Sequence, residues 1–230
     1  MSGKKYKAVR DKIKSTEVYP LDKALQMVME NPVARFDESV DAALVLGIDT
    51  RKNDQQVRGS VTLPHGLGRK VRVLVFAKGA LEEEAKKAGA DFVGGDDMVE
   101  KIKQGWLDFD CAISTPDMMP VVSKVAKILG PKGLMPNPKL GTVTMKVAQA
   151  VEREKKGTAS FRADKNGIIH SSVGRRSMGL DGIKENLLTF LRIVIKSKPV
   201  SSKGVYLKKI ALSSTMGPSV LVDTNDSAFA

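Results

Sequence analysis

The 230-residue sequence lacks most of the side chains that build disulfides, zinc sites and histidine-based active sites. It has one cysteine, Cys111, which excludes an internal disulfide and a zinc site made of several cysteines. It has two histidines, His65 and His170, and neither lies in a pattern that supplies a general base with a partner. We therefore expect no cofactor and no bound metal.

Long apolar runs are also missing. No stretch approaches the ~20 consecutive apolar residues that a transmembrane helix needs, and no apolar signal region follows the basic N-terminus. We therefore expect an intracellular protein without a membrane partner. Aromatic residues make up only 5% of the chain, so aliphatic side chains and methionine must fill its cores.

Positive charge, in contrast, is present in excess. The net charge is +12, from 38 basic and 26 acidic side chains. The excess is largest over residues 159–230, which have 11 basic and 5 acidic side chains. Because basic proteins of this size commonly bind nucleic acid, a polyanion is the first class of partner to consider.

Two styles of hydrophobic pattern divide the chain. Residues 40–63 and 159–222 alternate apolar and polar side chains, which is typical of half-buried antiparallel strands. Residues 70–156 have more continuously apolar strands that alternate with helices, which indicates βαβ units and a parallel sheet. We predict an α/β protein with two domains, an α+β antiparallel-sheet domain formed by both termini and an inserted three-layer Rossmann-like parallel α/β domain. The predicted boundaries are 1–67 and 159–230 for the first domain and 68–158 for the inserted one.

Three finer predictions concern single elements. We expect one helix over residues 118–129 and a hairpin that turns at Asp164–Gly167, because Asn-Gly readily takes a positive φ. We also expect a strand over 204–210 with Tyr206, Lys208 and Ile210 on one face. The composition of the Ser213–Pro218 stretch that follows favours an ordinary hairpin turn. Its serines, threonine and methionine leave open the alternative of a polar contact surface at the end of a sheet.

An enzyme with its site in the inserted domain is the alternative function. Its metal ligands would be Asp96, Asp97 or Asp117 at the strand ends, although paired aspartates at a helix start are more typical of a cap. The glycines of Gly66–Lys70 do not form a dinucleotide-binding loop, because the third glycine is absent and the loop precedes a strand. Cys111 lies in a strand of buried type and is expected in the core.

Basic side chains near the antiparallel strands favour RNA binding over the enzyme hypothesis. Lysine and arginine on sheet edges and loops neutralise phosphates, and the shortage of aromatic residues disfavours base stacking. This combination predicts recognition of folded RNA by shape through phosphates and 2′-hydroxyls. The basic candidates are Arg51, Lys52, Arg58, Arg162, Lys165, Arg175, Arg176, Lys132 and Lys139.

Motifs along nearly the whole chain resemble those of the bacterial large-subunit ribosomal protein L-one family, the proteins of the mobile stalk beside the tRNA exit site. The matching motifs are F-D-E-S-V (36–40), L-G-I-D-T-R-K-N-D-Q-Q-V-R-G-S-V-T-L-P-H-G-L-G (46–68), V-F-A-K-G (75–79), G-A-D-F-V-G-G-D-D (89–97), G-W-L-D-F-D (105–110), T-P-D-M-M (115–119), G-P-K-G-L-M-P-N-P-K (130–139) and S-S-T-M-G-P (213–218). The sequence departs from the usual family pattern over Ser171–Ser177, where members commonly have less charge.

The resemblance implies a monomer within the cytoplasmic ribosome that binds large-subunit rRNA. It also implies contact with exit-site tRNA, help in releasing that tRNA when deacylated, and translational repression of its own operon mRNA. The rRNA contacts that it implies are Phe36, Glu38, Thr215, Met216 and Gly217, together with Lys165, Gly167 and His170. A second, weaker contact would come from the proline-glycine loop with Lys132 and Lys139.

Overall fold

The computed structural model describes residues 3–13 and 17–224. The helices are α1 (Lys4–Arg10), α2 (Leu21–Glu30), α3 (Ala80–Lys87), α4 (Asp96–Lys103), α5 (Met119–Val122), α6 (Ala126–Leu129), α7 (Val147–Gly157) and α8 (Gly179–Lys196). The strands are β1 (Val18–Tyr19), β2 (Ser39–Leu46), β3 (Arg58–Thr62), β4 (Val73–Phe76), β5 (Phe92–Gly94), β6 (Cys111–Ser114), β7 (Thr158–Arg162), β8 (Ile168–Arg175), β9 (Leu207–Ser214) and β10 (Val220–Val222). In this part of the chain, no helix has the length and apolar character needed to cross a membrane.

The chain separates into two units by its internal contacts. The first consists of Met1–Gly68 with Ala159–Ala230, and the second of Arg69–Thr158. The first contains a largely antiparallel sheet and the second a parallel one. The predicted mixed α/β fold class is therefore confirmed.

A five-stranded sheet in the order β1-β10-β9-β2-β8 organises the first unit. The side chains of β2 alternate between half-buried and buried positions, and the buried set packs in one core with α2 and α8. This is the period-two pattern that half-buried strands require. No sequence signal predicted β1, which is only two residues long and pairs parallel with β10.

Two local predictions in the first unit were wrong in part. The strand expected from residue 204 begins at Leu207 and continues through Ser214, so two serines assigned to the turn belong to β9. A shift in register between β2 and β9 leaves Lys208 exposed instead of on the buried face with Ile210. The predicted hairpin keeps its turn, but β7 pairs with β3 in a separate two-stranded sheet while β8 joins β2.

The second unit is built on the parallel sheet β5-β4-β6. Every residue of β4 is buried. Leu74 and Phe76 point into a core that includes residues of α4 and α5, whereas Val73 and Val75 point into a core that includes residues of α3 and α7. Helices thus cover both faces of the sheet, as its continuously apolar strand predicted.

The continuous helix predicted over residues 118–129 was wrong. The segment forms α5 and α6, which are separated by a 3₁₀ turn at Ser123–Val125. The Ser123 hydroxyl donates to Met119 O at 2.8 Å, a local bond that competes with regular helix geometry.

Candidate nucleic-acid interface

Most of the predicted RNA contacts of the first unit adjoin one end or the other of β2. One group adjoins Ser39, the first residue of this eight-residue strand, and the other adjoins Leu46, its last. At about 3.4 Å per residue the two ends are about 24 Å apart, so the groups form separate surfaces. We name the first group the Thr215 surface; it consists of Phe36, Glu38, Thr215, Met216 and Gly217.

Thr215 is fixed to the start of β2. The Ser39 N–H donates to Thr215 Oγ1 at 2.9 Å, the two hydroxyl oxygens are also 2.9 Å apart, and the Thr215 N–H donates to Ser39 O at 3.1 Å. On this surface Phe36 is 58% exposed and Met216 is 55% exposed. Phe36 and Met216 therefore present apolar surface beside a threonine that is fixed by hydrogen bonds.

Gly217 closes the tip of the turn. Its N–H donates to Ser214 O at 3.2 Å. A Cβ added at Gly217 would lie 2.4 Å from Ser214 Oγ, so a larger residue here would force the Ser214 hydroxyl to move.

Glu38 supports the Thr215 surface from inside. Its side chain is fully buried, and its Oε1 accepts hydrogen bonds from the N–H groups of Val33, at 3.0 Å, and Ala34. Oε2 makes no hydrogen bond of normal length and angle within the described residues, although the Ser214 hydroxyl and Met216 N–H interact with the carboxylate. Burial alone would raise the pKa of Glu38, but these donors lower it below its ordinary value. The buried side chain connects the preceding loop to the turn.

Asp37 holds the other side of the Phe36 segment. The Ser177 N–H donates to Asp37 Oδ1 at 3.0 Å and the Ser177 hydroxyl donates to Oδ2 at 2.7 Å. The pKa of Asp37 lies below its ordinary value, chiefly because of the Ser177 hydroxyl, with help from the charges of Arg175 and Arg176. Sequence reasoning missed this pair, since a contact between residues 140 positions apart leaves no local signal.

The Arg162 cleft is the second surface, at the Leu46 end of β2. It is an open cavity of about 370 Å³ lined by Thr50, Gln56, Val57, Arg58, Arg162, Ala163, Asp164 and Lys165. The Thr50 hydroxyl donates to Lys165 O at 2.6 Å and joins the two sides of the cleft. Three lining side chains are cationic and one is acidic, so the cleft suits a phosphate group.

Asp164 shapes the turn beside the Arg162 cleft. Its Oδ1 accepts from the N–H groups of Ile168 and Asn166, each at 2.8 Å, and these bonds, first that from Ile168, lower its pKa. Gly167 has φ +76°, and a Cβ added there would lie 3.3 Å from the Ile48 side chain. The buried Gly167 is therefore needed for the turn itself.

The remaining predicted residues of the first unit are exposed. Arg51 and Lys52 lie in the loop after β2, where the Arg51 N–H donates to Asp49 Oδ1 at 3.2 Å. His170 lies opposite Ala43 in the middle of β2 and so belongs to neither end.

The second unit presents its candidate residues on the Gly130–Lys139 loop. Lys132 and Lys139 are both exposed. Asn137 Oδ1 accepts from the Lys139 N–H at 2.9 Å. Arg153 on α7 donates to two carbonyl oxygens immediately after the loop, each at 3.1 Å. The loop is thus fixed by its own bonds, although it contains no regular helix or strand before Pro138.

The carboxylates of the alternative metal site lie apart from any histidine or cysteine cluster. Asp96 and Asp97 occupy the first turn of α4, where carboxylates stabilise the helix dipole, and Asp96 lies 3.7 Å from Lys78 Nζ. Asp117 is exposed in a 3₁₀ turn. Within the described residues, no group of three or more histidine, cysteine or acidic side chains is arranged to hold a metal ion.

Cys111 is placed for packing. Its Sγ lies 3.5 Å from Glu154 Oε2. Burial, followed by the negative charge of Glu154, raises the pKa of the Cys111 thiol, and burial likewise raises the pKa of Glu154 against the opposing effect of Arg153. A thiol with a raised pKa is a poor nucleophile at neutral pH.

Comparison with known proteins places the chain in a family. A sequence model described as "Ribosomal protein L1p/L10e family" matches residues 28–218. The chain is 59% identical over 230 residues to a protein of Bdellovibrio bacteriovorus named "Large ribosomal subunit protein uL1", with 100% of this chain and 98% of the relative covered. It is 54% identical over 226 residues to the protein of the same name from Methylobacillus flagellatus, with 98% of each covered. The chain therefore belongs to the Ribosomal protein L1p/L10e family, as its motifs predicted, and is a structural ribosomal protein and not an enzyme.

Proposed function

We propose that this chain binds large-subunit rRNA through the Thr215 surface and forms the mobile stalk near the tRNA exit site. The observation that carries the proposal is the exposure of Phe36 and Met216 beside Thr215, which is held by Ser39. The surface brings little charge of its own, so it contributes close complementarity to a folded RNA. Its relatives are named as large ribosomal subunit proteins, and the corresponding role for this chain is as a monomer in the cytoplasmic ribosome.

A second RNA contact is assigned to the Arg162 cleft. Its lining cations, together with the exposed Arg51 and Lys52, attract a phosphate backbone without reading its sequence. This is the behaviour required of a surface that holds and releases tRNA molecules of different sequence. We therefore assign the cleft to exit-site tRNA, including Lys165, which the resemblance alone would assign to rRNA. Lys132 and Lys139 of the second unit are assigned to a further, weaker rRNA contact.

The operon mRNA competes for the Thr215 surface. A protein that represses its own message must recognise in that mRNA the shape that it recognises in rRNA. Because one surface then serves both RNAs, an excess of rRNA fragment should displace the mRNA, and a variant of the Thr215 surface should weaken both complexes in parallel.

The test of rRNA binding is Met216→Asp. A carboxylate at an exposed, apolar contact removes packing and repels phosphates, so the affinity for a large-subunit rRNA fragment should fall about 30-fold to 100-fold. Filter binding at fixed salt measures this change. Met145 is 53% exposed and lies in the second unit, which makes Met145→Asp a matched control that should bind normally. If Met216→Asp and Met145→Asp bind the fragment with equal affinity, the Thr215 surface is not part of the rRNA interface.

A further inference from the structure

We propose that Arg175 and Arg176 form a phosphate-binding subsite beside the Thr215 surface, and that the subsite takes one backbone phosphate of the RNA bound there. The inference rests on the proposed rRNA binding and adds a contact to it. Both arginines lie in the Ser171–Ser177 segment.

The fold brings the two arginines to the same end of the sheet as Thr215. Ser39 pairs with Arg175 on the β8 side and is hydrogen-bonded to Thr215 on the β9 side. Neighbouring strands are about 4.8 Å apart, so the backbones of Arg175 and Thr215 are about 10 Å apart. The Arg176 N–H donates to Glu38 O at 3.0 Å, close in sequence to the exposed Phe36. An RNA that covers Phe36 and Thr215 therefore also reaches the arginines.

The local charges leave Arg176 available to an anion. Asp37 is 4.0 Å from the Arg175 guanidinium and already accepts two hydrogen bonds from Ser177. Arg176 is exposed, and in the described part of the chain no carboxylate lies within 4.0 Å of its guanidinium. One carboxylate thus faces two arginines, and the uncompensated positive charge is at Arg176.

A hydrogen bond orients the Arg176 side chain. Its Nε donates to Met29 O at 3.0 Å, at the C-terminal end of α2. Within the described residues its two Nη groups have no hydrogen-bond partner. Their N–H groups can therefore donate together to one bound anion. Because a planar guanidinium binds phosphate through paired N–H groups, a guanidinium fixed in this way is organised for phosphate before RNA arrives.

The experiment compares Arg176→Gln with Arg192→Gln, since Arg192 is an exposed arginine on α8 outside the Thr215 surface. Affinity for a large-subunit rRNA fragment is measured from about 0.05 to 0.3 M salt. Loss of one phosphate contact should weaken binding about fivefold to tenfold near 0.1 M salt and reduce the slope of log affinity against log salt by about 0.7 to 0.9. Arg192→Gln should match the wild type in both respects.

Arg176→Lys provides a second variant that keeps the charge. It should retain the salt slope but lose part of the affinity, because lysine cannot reproduce the guanidinium fork. Thermal unfolding of each variant verifies that the fold is intact. If the wild type binds the fragment and Arg176→Gln behaves like Arg192→Gln, the subsite is refuted while the proposed function stands. If the wild type itself does not bind, the proposed function fails and the subsite fails with it.

Discussion

The Thr215 surface and the Arg162 cleft differ in the side chains that each would offer to RNA. The Thr215 surface combines exposed apolar side chains with a threonine held by hydrogen bonds, and its one charged member, Glu38, is buried. The Arg162 cleft is lined by three cations around a cavity of about 370 Å³. Both lie in the first unit and adjoin opposite ends of β2.

Under the proposed function, the Thr215 surface would recognise RNA and the Arg162 cleft would attract it. Cationic side chains supply salt-dependent affinity for any phosphate backbone, whereas uncharged complementary surfaces discriminate among RNA shapes. Under the proposed function, the Thr215 surface would keep rRNA while the Arg162 cleft exchanges tRNA. Variants of the two surfaces should therefore show different salt dependence.

The largest effect is expected from Glu38→Ala, which undermines the Thr215 surface from inside. The change leaves the N–H groups of Val33 and Ala34 without their buried acceptor, so the free energy of unfolding should fall by about 3 kcal/mol. Urea denaturation measures this loss. Glu30→Ala, at an exposed glutamate on α2, is the control and should change stability by less than about 0.5 kcal/mol. If Glu38→Ala and Glu30→Ala lose similar amounts of stability, the buried Glu38 does not support the Thr215 surface.

The pH dependence of Glu38 gives an independent readout of the same prediction. Its pKa is lowered in the folded state, so the unfolded chain binds the proton more readily. The stabilisation is fully present above the unfolded pKa of about 4.3 and is lost as pH falls through the lower folded pKa. Glu38→Gln cannot titrate, so its free energy of unfolding should decline less than that of the wild type below about pH 4.5. If the free energies of unfolding of Glu38→Gln and the wild type fall equally as the pH is lowered, Glu38 is not the group that titrates.

A smaller effect is expected when the charge of the Arg162 cleft is removed. The double variant Arg162→Gln, Lys165→Gln loses two phosphate contacts, so tRNA binding should weaken by about 2 kcal/mol near 0.1 M salt, with a salt slope lower by about 1.5. Electrophoretic mobility shifts across a salt series measure both quantities. Binding of the rRNA fragment through the Thr215 surface should change much less.

The matched control removes cations from the other unit. Lys101 and Lys103 are exposed on α4, so the variant Lys101→Gln, Lys103→Gln lowers the net charge of the chain by the same amount. It should leave the tRNA salt slope unchanged. If both double variants alter tRNA binding equally, net charge and not the cleft carries the attraction.

Local patterns made much of this fold predictable. Period-two alternation identified β2 because one face of its sheet is buried against helices, and the continuously apolar Val73–Phe76 identified a strand covered on both sides. Strong motifs such as S-S-T-M-G-P also identified the family. These signals lie within a few residues of one another, which is the range over which sequence patterns are informative.

Features fixed by distant contacts were not predictable. Glu38 was expected at the RNA contact, but nothing in its neighbourhood indicates that its carboxylate is buried and interacts with Ser214 and Met216. The pairing of Asp37 with Ser177 likewise depends on the tertiary fold. The exposure of Lys208 likewise depends on the register between β9 and β2. Each of these outcomes is decided by long-range packing that overrides local preference.

The smallest effect is expected from Thr215→Val, which tests whether the threonine hydroxyl acts within the protein or on RNA. Valine has nearly the same shape but leaves the Ser39 N–H without its side-chain acceptor, so the free energy of unfolding should fall by about 1 kcal/mol. Affinity for the rRNA fragment should fall only as far as the turn is disturbed, because Thr215 Oγ1 is already bonded to Ser39. Urea denaturation and filter binding measure the two quantities.

Thr62→Val is the matched control for this change, since it makes the same substitution at an exposed position on β3. It should leave both the free energy of unfolding and the affinity close to those of the wild type. A large loss of affinity in Thr215→Val with unchanged stability would show instead that the Thr215 hydroxyl contacts RNA directly. Recognition by the Thr215 surface would then depend more on polar contacts than the exposed Phe36 and Met216 suggest, and the contrast with the Arg162 cleft would narrow.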